Sequence, residues 1–216
     1  MARKSLFDRY LAWREERHPN PELRAHRKRL LAGARGDVIE IGCGEGVNFE
    51  HYPPTVTNVL AVEPDPDARA LATRAGRAAP VPITVVGGIA EQLPAADASF
   101  DVAICCWVLC SVEDPQAALA EVRRVLRPNG ELRFFEHVAS ERRAFALLQR
   151  TVDATYWTRM LAGCRTARDT EATIRSAGFR IDAIEHFRHI SCWLTLPAAP
   201  HILGIARPGT IGPAAV

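Results

Sequence analysis

Long apolar runs are scarce in this chain of 216 residues, and the longest, Val102–Cys110, has only nine. A helix that crosses a bilayer needs about 20 predominantly apolar residues, so we expect no membrane span. The first residues, Met1–Ser5, also lack the apolar core of a signal peptide. These two absences predict a cytoplasmic protein.

Paired cysteine motifs are missing as well. The six cysteines are Cys43, Cys105, Cys106, Cys110, Cys164 and Cys192. None of them forms the C-x-x-C spacing that is typical of zinc and redox sites, and most lie among apolar residues. We therefore expect buried, reduced thiols rather than a disulfide framework, and we predict no metal site.

A strong excess of one charge is also absent, since 27 Lys/Arg against 25 Asp/Glu leave a net charge of +2. This balance gives no general case for a nucleic acid or another polyanionic partner. The charge is uneven, however: residues 1–36 hold ten basic and four acidic residues (+6), and the remainder holds 17 and 21 (−4). A basic helical arm is most often a solvated face, and contact with a membrane surface or an anionic substrate stays open.

What the sequence does contain is a glycine-rich segment after a short apolar run. Val38–Ile41 leads into Gly42, Gly44 and Gly46 with the spacing G-x-G-x-G, and Glu63 ends a second apolar run seventeen residues later. Glycines at the end of a strand let a ligand approach the backbone closely. In an open α/β sheet, a glycine turn after strand one and an acid after strand two form a nucleoside site, where the carboxylate accepts from the ribose hydroxyls.

Apolar runs alternate with helical segments at intervals of about 20–30 residues, which favours a parallel, doubly wound α/β sheet. Helices are predicted at about 141–161 and 167–177, and apolar runs follow at 179–187 and 201–206. Because no helix is predicted between these last two runs, they indicate an antiparallel hairpin at the sheet edge. The expected fold is Rossmann-like, with a doubly wound seven-stranded sheet that is mostly parallel and has N-terminal lid helices.

The chain is short enough to form one main domain with two appendages. We predict an N-terminal helical lid on the acceptor side at residues 1–36, with helices at about 5–17 and 21–33. The ligand-binding domain is expected at 37–207 and a loose tail at 208–216.

Five motifs within residues 36–137 occur in the order that a known family shows. They are Glu40-x-Gly42-Cys43-Gly44-x-Gly46, Glu63, Ala90-Glu91-x-Leu93-Pro94, Ser99-Phe100-Asp101-Val102 and Val122-x-x-Val125-Leu126-x-Pro128-x-Gly130. Together they resemble class I S-adenosylmethionine-dependent methyltransferases of the methyltransferase type 11 group. The resemblance implies that S-adenosyl-L-methionine is the methyl donor and S-adenosyl-L-homocysteine the product.

A narrower resemblance extends beyond these motifs, to the methyltransferase-like alkyl thiol methyltransferases. The segments that carry it are Asn48-Phe49 with Tyr52-Pro53-Pro54, Val108–Val112, Glu136–Ala139, Gly163-Cys164 and Pro200-His201-Ile202-x-Gly204. Those proteins have an N-terminal membrane anchor, which we do not expect here. The resemblance therefore implies a soluble relative, with a small thiol favoured as acceptor.

The resemblance also implies which residues contact the cofactor. The expected set is Glu40, Gly42, Cys43, Gly44, Gly46, Glu63, Pro64, Ile89, Ala90, Glu91, Cys106 and Trp107. Glu40 is expected beneath the methionine part, with a structural hydrogen-bonding role as the alternative. Ile89 stands where an Asp is common in the family, so it is expected to pack on the adenine, whose amino group would bind backbone or Glu91.

Methyl transfer from a sulfonium needs little acid–base chemistry, because the donor is already activated and in-line positioning supplies much of the rate. A thiol with a pKa near 8.5 is partly ionised at neutral pH, whereas a hydroxyl acceptor has a greater need for a base. His137, just beyond the fifth strand, is the predicted catalytic residue, as a base or as an orienting group. Cys164 and His201 are further candidates, and a structural role is the alternative for each.

Aromatic residues near both ends of the chain predict the acceptor pocket. Its expected residues are Tyr10, Trp13, Trp107, His137 and Trp157, and Trp193 is a further candidate. Their aromatic content indicates a small, largely apolar acceptor. Core packing is the alternative explanation for each of these side chains.

Several other functions were weighed against this one. A nicotinamide oxidoreductase of the usual kind has G-x-G-x-x-G, and no tyrosine here has the lysine four residues on that short-chain enzymes use. A nucleic-acid methyltransferase would show Asp/Asn-Pro-Pro-aromatic after the fourth strand or a broad basic surface. The alternatives left are O- or N-methylation of a natural-product or quinone/phenol-like metabolite, and a cofactor-binding interaction protein without turnover. The sequence does not indicate the oligomeric state.

Overall fold

The computed structural model describes residues 20–190 and 193–209, which contain a single seven-stranded sheet. Its strands are β1 Gly36–Ile41, β2 Val56–Val62, β3 Ile83–Val86, β4 Phe100–Cys106, β5 Leu126–His137, β6 Phe179–Arg188 and β7 Pro200–Pro208. The first predicted helix, with Tyr10 and Trp13, lies outside the described residues, and so do residues 210–216 of the predicted tail.

The strand order is β3-β2-β1-β4-β5-β7-β6. Strands β1 to β5 are parallel, and β7 runs antiparallel to both of its neighbours, β5 and β6. The predicted doubly wound sheet with an antiparallel C-terminal hairpin is therefore confirmed. The order reverses between β1 and β4, so the carboxyl ends of these two strands border the crevice in which such sheets bind ligands.

Five α-helices of at least seven residues accompany the sheet in the described residues. They are α1 Pro21–Leu31, α2 Pro66–Gly76, α3 Pro115–Val125, α4 Arg143–Val152 and α5 Thr170–Ser176. The first three begin alike, because Asn20, Asp65 and Asp114 each accept two backbone N–H bonds of the first turn and a proline follows. An Asn or Asp cap before proline is a strong start signal, which explains why these helices begin at the predicted positions.

The C-terminal helices differ from the expectation in their bounds. The helix predicted over 141–161 continues beyond α4 only as a wide π-helical turn, Asp153–Trp157, and a short helix, Thr158–Met160. The Asp153 carboxylate accepts backbone N–H bonds from the loop that follows. A 3₁₀ helix, Trp193–Ala198, also occupies the connection between β6 and β7, where no helix was predicted.

Both faces of the sheet are buried. Leu23, Leu30 and Leu31 of α1 pack with strand residues such as Phe135 on one face, and α3 contributes Leu119 and Val122 to the other. The part of the predicted lid that is described thus packs into the core. Within residues 20–190 and 193–209, each helix falls short of the length and apolarity that crossing a membrane requires.

Candidate active site

The glycine loop follows β1 directly and has three left-handed residues. Gly42, Gly44 and Gly46 have φ angles of 63°, 58° and 86°. A Cβ added to Gly42 would lie 2.8 Å from a methyl of Val108, and one on Gly46 would lie 2.7 Å from the Phe49 ring. At Gly44, by contrast, the described residues place no atom within 4 Å of that position. Gly42 and Gly46 therefore allow close packing, while Gly44 borders open space that a ligand fits.

Glu63 lies opposite this open loop. One of its carboxylate oxygens accepts from the Gly44 N–H at 2.9 Å, and the other accepts from the Asp65 N–H at 3.0 Å. Arg69 holds the same segment by donating to the carbonyls of Glu63 and Pro64. A carboxylate has about four lone-pair sites, so Glu63 keeps acceptor capacity for two hydroxyls after these two bonds.

Glu40 is buried on β1 with both carboxylate oxygens bonded. Tyr52 donates its hydroxyl at 2.6 Å and Asn48 its amide at 2.8 Å, and Arg27 in turn donates to Asn48 at 2.9 Å. Burial raises the pKa of Glu40, and its hydrogen bonds and Arg27 act against that rise. Glu40 therefore orders the segment behind the glycine loop, and its contact with the cofactor stays a prediction. A buried carboxylate needs partners, but the sequence did not indicate which residues supply them.

The residues predicted around the adenine lie in the loop after β3. Ile89 leaves 43% of its side chain exposed, while Ala90 is buried. Glu91 is engaged elsewhere, since its carboxylate accepts from the Glu113 and Asp114 N–H groups at 3.1 and 3.4 Å. An exposed isoleucine at this edge suits a flat apolar ligand. The structure gives no comparable support for a direct role of Glu91.

Cys106 ends β4 and Trp107 follows it, and both lie beneath Arg27. The Arg27 guanidinium lies 3.2 Å from the Cys106 sulfur and 4.8 Å from the centre of the Trp107 ring. Burial raises the pKa of Cys106 to about 11, although Arg27 opposes the rise. Cys106 is therefore a neutral thiol at physiological pH. Cys43 is likewise a buried cysteine, and it lies in the glycine loop.

The loop after β4 is held in place by a carboxylate for which no sequence motif predicts a role. Glu136 is fully buried and accepts three consecutive backbone N–H bonds, from Val108, Leu109 and Cys110, at 2.9, 3.0 and 3.1 Å. Burial raises its pKa, and the three N–H bonds act in the opposite direction. One side chain thus sets the path of the segment that separates the glycine loop from His137.

His137 lies at the end of β5 against two cysteines. Its Nδ1 atom is 3.4 Å from the Cys110 sulfur and 3.6 Å from the Cys164 sulfur, and the two sulfurs are 3.9 Å apart. Burial raises the pKa of Cys110, while the hydrogen bond with Cys110 and the proximity of His137 hold the pKa of Cys164 well below its usual range. No sequence pattern joined these three residues.

Aromatic rings surround this group. Trp107 stacks on His137 with ring centres 5.3 Å apart, and the His201 ring centre lies 4.6 Å from that of His137. Trp157 is fully buried in a small cluster with Cys110 and Cys164. The structure therefore brings together several predicted acceptor-side residues, although Trp157 lies inside the cluster. Its part in lining a pocket stays a prediction.

Trp193 is instead strongly exposed on its 3₁₀ helix. Tyr10 and Trp13 cannot be placed relative to this group, because they lie outside the described residues. Their predicted role in the pocket is thus neither supported nor opposed.

Solved structures share this architecture. BH2331 of Bacillus halodurans C-125, described as a methyltransferase, has a TM-score of 0.72 at 18% identity, over 86% of this chain and 98% of that chain. The N-methyltransferase NodS of Bradyrhizobium japonicum WM9, in complex with S-adenosyl-L-homocysteine, has a TM-score of 0.68 at 21% identity, over 91% of each chain. With the glycine loop and Glu63, the fold is that of a class I S-adenosylmethionine-dependent methyltransferase.

Sequence comparison gives a narrower result. The methyltransferase domain family matches residues 39–134. The human thiol S-methyltransferase TMT1B is 38% identical over 181 residues, which are 82% of this chain and 73% of TMT1B. The chain belongs to the S-adenosylmethionine-dependent methyltransferase family that includes TMT1B. It is accordingly a methyltransferase that uses S-adenosyl-L-methionine.

Proposed function

We propose that this enzyme methylates the sulfur of a small thiol. The observation that carries the proposal is the 38% identity to a thiol S-methyltransferase over most of both chains. The surroundings of His137 agree with it, because the groups against its ring are the sulfurs of Cys110 and Cys164 and the rings of Trp107 and His201. Such a soft and largely apolar environment suits a thiol better than a strongly hydrated amine or alcohol.

The donor side of the proposal assigns roles to the residues around the glycine loop. Glu63 accepts from the ribose hydroxyls, Gly44 gives the ligand room beside the backbone, and Ile89 covers the adenine. Glu40 supports the loop from behind through Asn48. S-adenosyl-L-methionine supplies an activated methyl group when bound, so the protein chiefly has to position the acceptor and exclude water.

Calorimetry with S-adenosyl-L-homocysteine tests the donor side. Glu63→Ala removes two charge-assisted hydrogen bonds to the ribose, each worth about 1.5–3 kcal/mol, so affinity should fall at least about 100-fold. Asp67→Ala is a matched control, because Asp67 is an exposed acid in the first turn of α2. Equal affinities of Glu63→Ala and the wild type would show that Glu63 does not bind the ribose.

A panel of acceptors tests the sulfur preference. The enzyme is incubated with labelled methyl donor and with matched small thiols, amines and phenols, and products are separated by chromatography. We expect methylated thiols, and we expect their formation to disappear in Glu63→Ala. Turnover of phenols or amines without turnover of any thiol would overturn the proposal.

His137 is proposed to orient or deprotonate the acceptor. His137→Ala should then lower turnover of thiols and change its dependence on pH, since a thiol is only partly ionised near neutral pH. Binding of S-adenosyl-L-homocysteine should persist in the variant and serves as the control for folding. Full turnover at every pH would exclude His137 as a catalytic residue.

A further inference from the structure

Three metal-ligating side chains converge beside the proposed acceptor site. Cys110 comes from the loop after β4, His137 from the end of β5, and Cys164 from the loop after the short helix Thr158–Met160. Each offers one soft or borderline ligand atom, a combination that favours zinc over magnesium or calcium. Both cysteines are buried and His137 is partly exposed, so the group has one side nearer to solvent.

The distances within this group match a tetrahedral zinc site. Zn–S bonds of about 2.3 Å and a Zn–N bond of about 2.0–2.1 Å imply S···S edges of about 3.8 Å and S···N edges of about 3.5 Å. The structure has an S···S distance of 3.9 Å and S···N distances of 3.4 and 3.6 Å. The distances among the three atoms therefore match one face of a coordination tetrahedron.

We propose that Cys110, His137 and Cys164 bind Zn²⁺ through three bonds and leave the fourth position to the acceptor thiolate. The second part rests on the proposed function. Three protein ligands with one open position are the arrangement of catalytic zinc sites, whereas structural sites have four. The same ion would explain why two cysteines and a histidine, far apart in sequence, meet at the acceptor side.

The backbone holds the two cysteine segments together. The Cys110 carbonyl accepts from the Arg165 N–H at 2.8 Å, and the Cys164 N–H donates to the Leu161 carbonyl at 2.7 Å. Gly163 has a φ of 88°, and a Cβ added to it would lie 2.9 Å from the Ser111 carbonyl oxygen. A tight, left-handed turn, which glycine adopts without strain, thus brings Cys164 against the Cys110 loop.

The charge balance also suits an anionic fourth ligand. Zn²⁺ with two thiolates is neutral, so a bound acceptor thiolate leaves one negative charge. The Arg168 guanidinium donates to the Leu109 and Val112 carbonyls, at 2.5 and 2.9 Å, on either side of Cys110. This fixed positive charge attracts an anionic ligand, and the buried Glu136 carboxylate, which bonds the Cys110 N–H, acts against it.

Two nitrogen atoms on the rings that contact His137 are left for a ligand. Trp107 Nε1 and His201 Nε2 are buried and have no hydrogen-bond partner among the described residues. His201 Nδ1 bonds the Ala199 carbonyl at 2.8 Å, so the ring donates there and its Nε2 is free to accept. Buried polar atoms are normally satisfied, and a bound acceptor or a zinc-bound water would supply these partners.

The chemistry balances without a further reactant. The acceptor thiol loses its proton to solvent as it binds zinc, because a metal ion deprotonates a coordinating thiol. A sulfur lone pair then forms the new S–CH₃ bond while the methyl–sulfonium bond breaks, and the electron pair of that bond stays on S-adenosyl-L-homocysteine. The product thioether is neutral, binds zinc weakly and leaves.

Cobalt substitution tests the metal site. Metal-free enzyme is titrated with Co²⁺, and we expect one equivalent to give the visible spectrum of a tetrahedral ion with a thiolate-to-metal charge-transfer band. Cys110→Ala and Cys164→Ala should each weaken or abolish that band while retaining S-adenosyl-L-homocysteine binding. Cys105→Ala is the matched control, since Cys105 is an equally buried free thiol on β4 outside this group. Absence of Co²⁺ and Zn²⁺ binding, or an unchanged band in both ligand variants, would overturn the proposal.

Turnover and thiol addition test the open position. Methanethiol added to the Co²⁺ enzyme should change the charge-transfer band, and metal removal should lower thiol methylation at least tenfold, with Zn²⁺ restoring it. An unchanged band, or full turnover without metal, would exclude the open position and leave thiol methylation standing. A zinc-bound enzyme that methylates only phenols or amines would instead refute the proposed function together with the thiolate ligand.

Discussion

The buried histidine of β7 makes a quantitative prediction about acid stability. His201 is almost fully enclosed, and burial, followed by the charges of His137 and other nearby histidines, lowers its pKa to about 2. Its Nδ1 donates to the Ala199 carbonyl, and this bond opposes the decrease in pKa without reversing it. Below pH 6.5 the unfolded chain therefore binds a proton at this position that the folded protein does not bind.

The loss of stability on acidification can be calculated from the linkage between protonation and folding. Where only the unfolded state binds the proton, each unit of pH costs about 1.4 kcal/mol of stability. Acidification from an unfolded pKa near 6.5 to pH 4.5 spans about two such units, so His201 alone should remove about 2.7 kcal/mol of the free energy of unfolding. The folded pKa lies more than two units below this interval, so the folded protein stays neutral at His201 throughout it.

The perturbation is His201→Gln, which removes the titrating group and keeps a donor for the Ala199 carbonyl. Urea unfolding at pH 7 and at pH 4.5 gives the loss of stability on acidification for each protein, and the loss should be smaller in the variant by about 2.7 kcal/mol. His186→Gln is the control, because His186 is an exposed histidine on β6, and it should not reduce the acid sensitivity. Equal losses in wild type and His201→Gln would refute a neutral, buried His201.

Two further substitutions test the geometry of the site. Gly44→Ala places a methyl group in the open space of the loop at a φ of 58°, so calorimetry should show at least tenfold weaker S-adenosyl-L-homocysteine binding with only about 1–2 kcal/mol lost in stability. Gly42→Ala should instead mainly destabilise the fold, because its methyl meets Val108, and normal binding by Gly44→Ala would contradict this assignment. Glu136→Gln replaces one acceptor oxygen by a donor that faces a backbone N–H, which should cost about 1.5–3 kcal/mol. For a chain of this size that is a decrease in Tm of about 3–12 °C in thermal unfolding, and an unchanged Tm would contradict the role of Glu136.

The proximity of the glycine loop and Glu63 could be predicted from sequence because its signals are local. Gly42, Gly44 and Gly46 stand within five residues, and Glu63 follows at the next strand end, so the chain order gives their proximity once a parallel sheet is assumed. The starts of three helices also have local signals, since Asn20, Asp65 and Asp114 each precede a proline. The long helix predicted after β5 from the local sequence was wrong in its bounds. Its interruption depends on Asp153 bonding a loop more than ten residues away.

The acceptor side depends on contacts that no local pattern encodes. Cys110 and Cys164 each lie 27 residues from His137, and none of the three forms a recognisable ligand spacing. Their meeting requires β4 beside β5, the Glu136 bonds that turn the following loop, and the left-handed turn at Gly163. The prediction that the cysteines are buried is confirmed for Cys110 and Cys164. Only the tertiary structure shows that two of them share a histidine.

The donor and acceptor sides are joined by one rigid segment, the loop of residues 107–112. At its start Val108 packs against Gly42 of the glycine loop, and two residues later the Cys110 sulfur faces His137. Glu136 bonds the N–H groups of both residues, so the distance between donor loop and sulfur–histidine group is set by a single buried carboxylate. Methyl transfer requires donor and nucleophile to be in line, and misplacement by about 1 Å can cost 100-fold in rate. A rearranged loop in Glu136→Gln should therefore impair turnover far more than it impairs S-adenosyl-L-homocysteine binding. Glu63 and Gly44, which we propose bind that ligand, are bonded to each other, and Glu63 also bonds the Asp65 N–H.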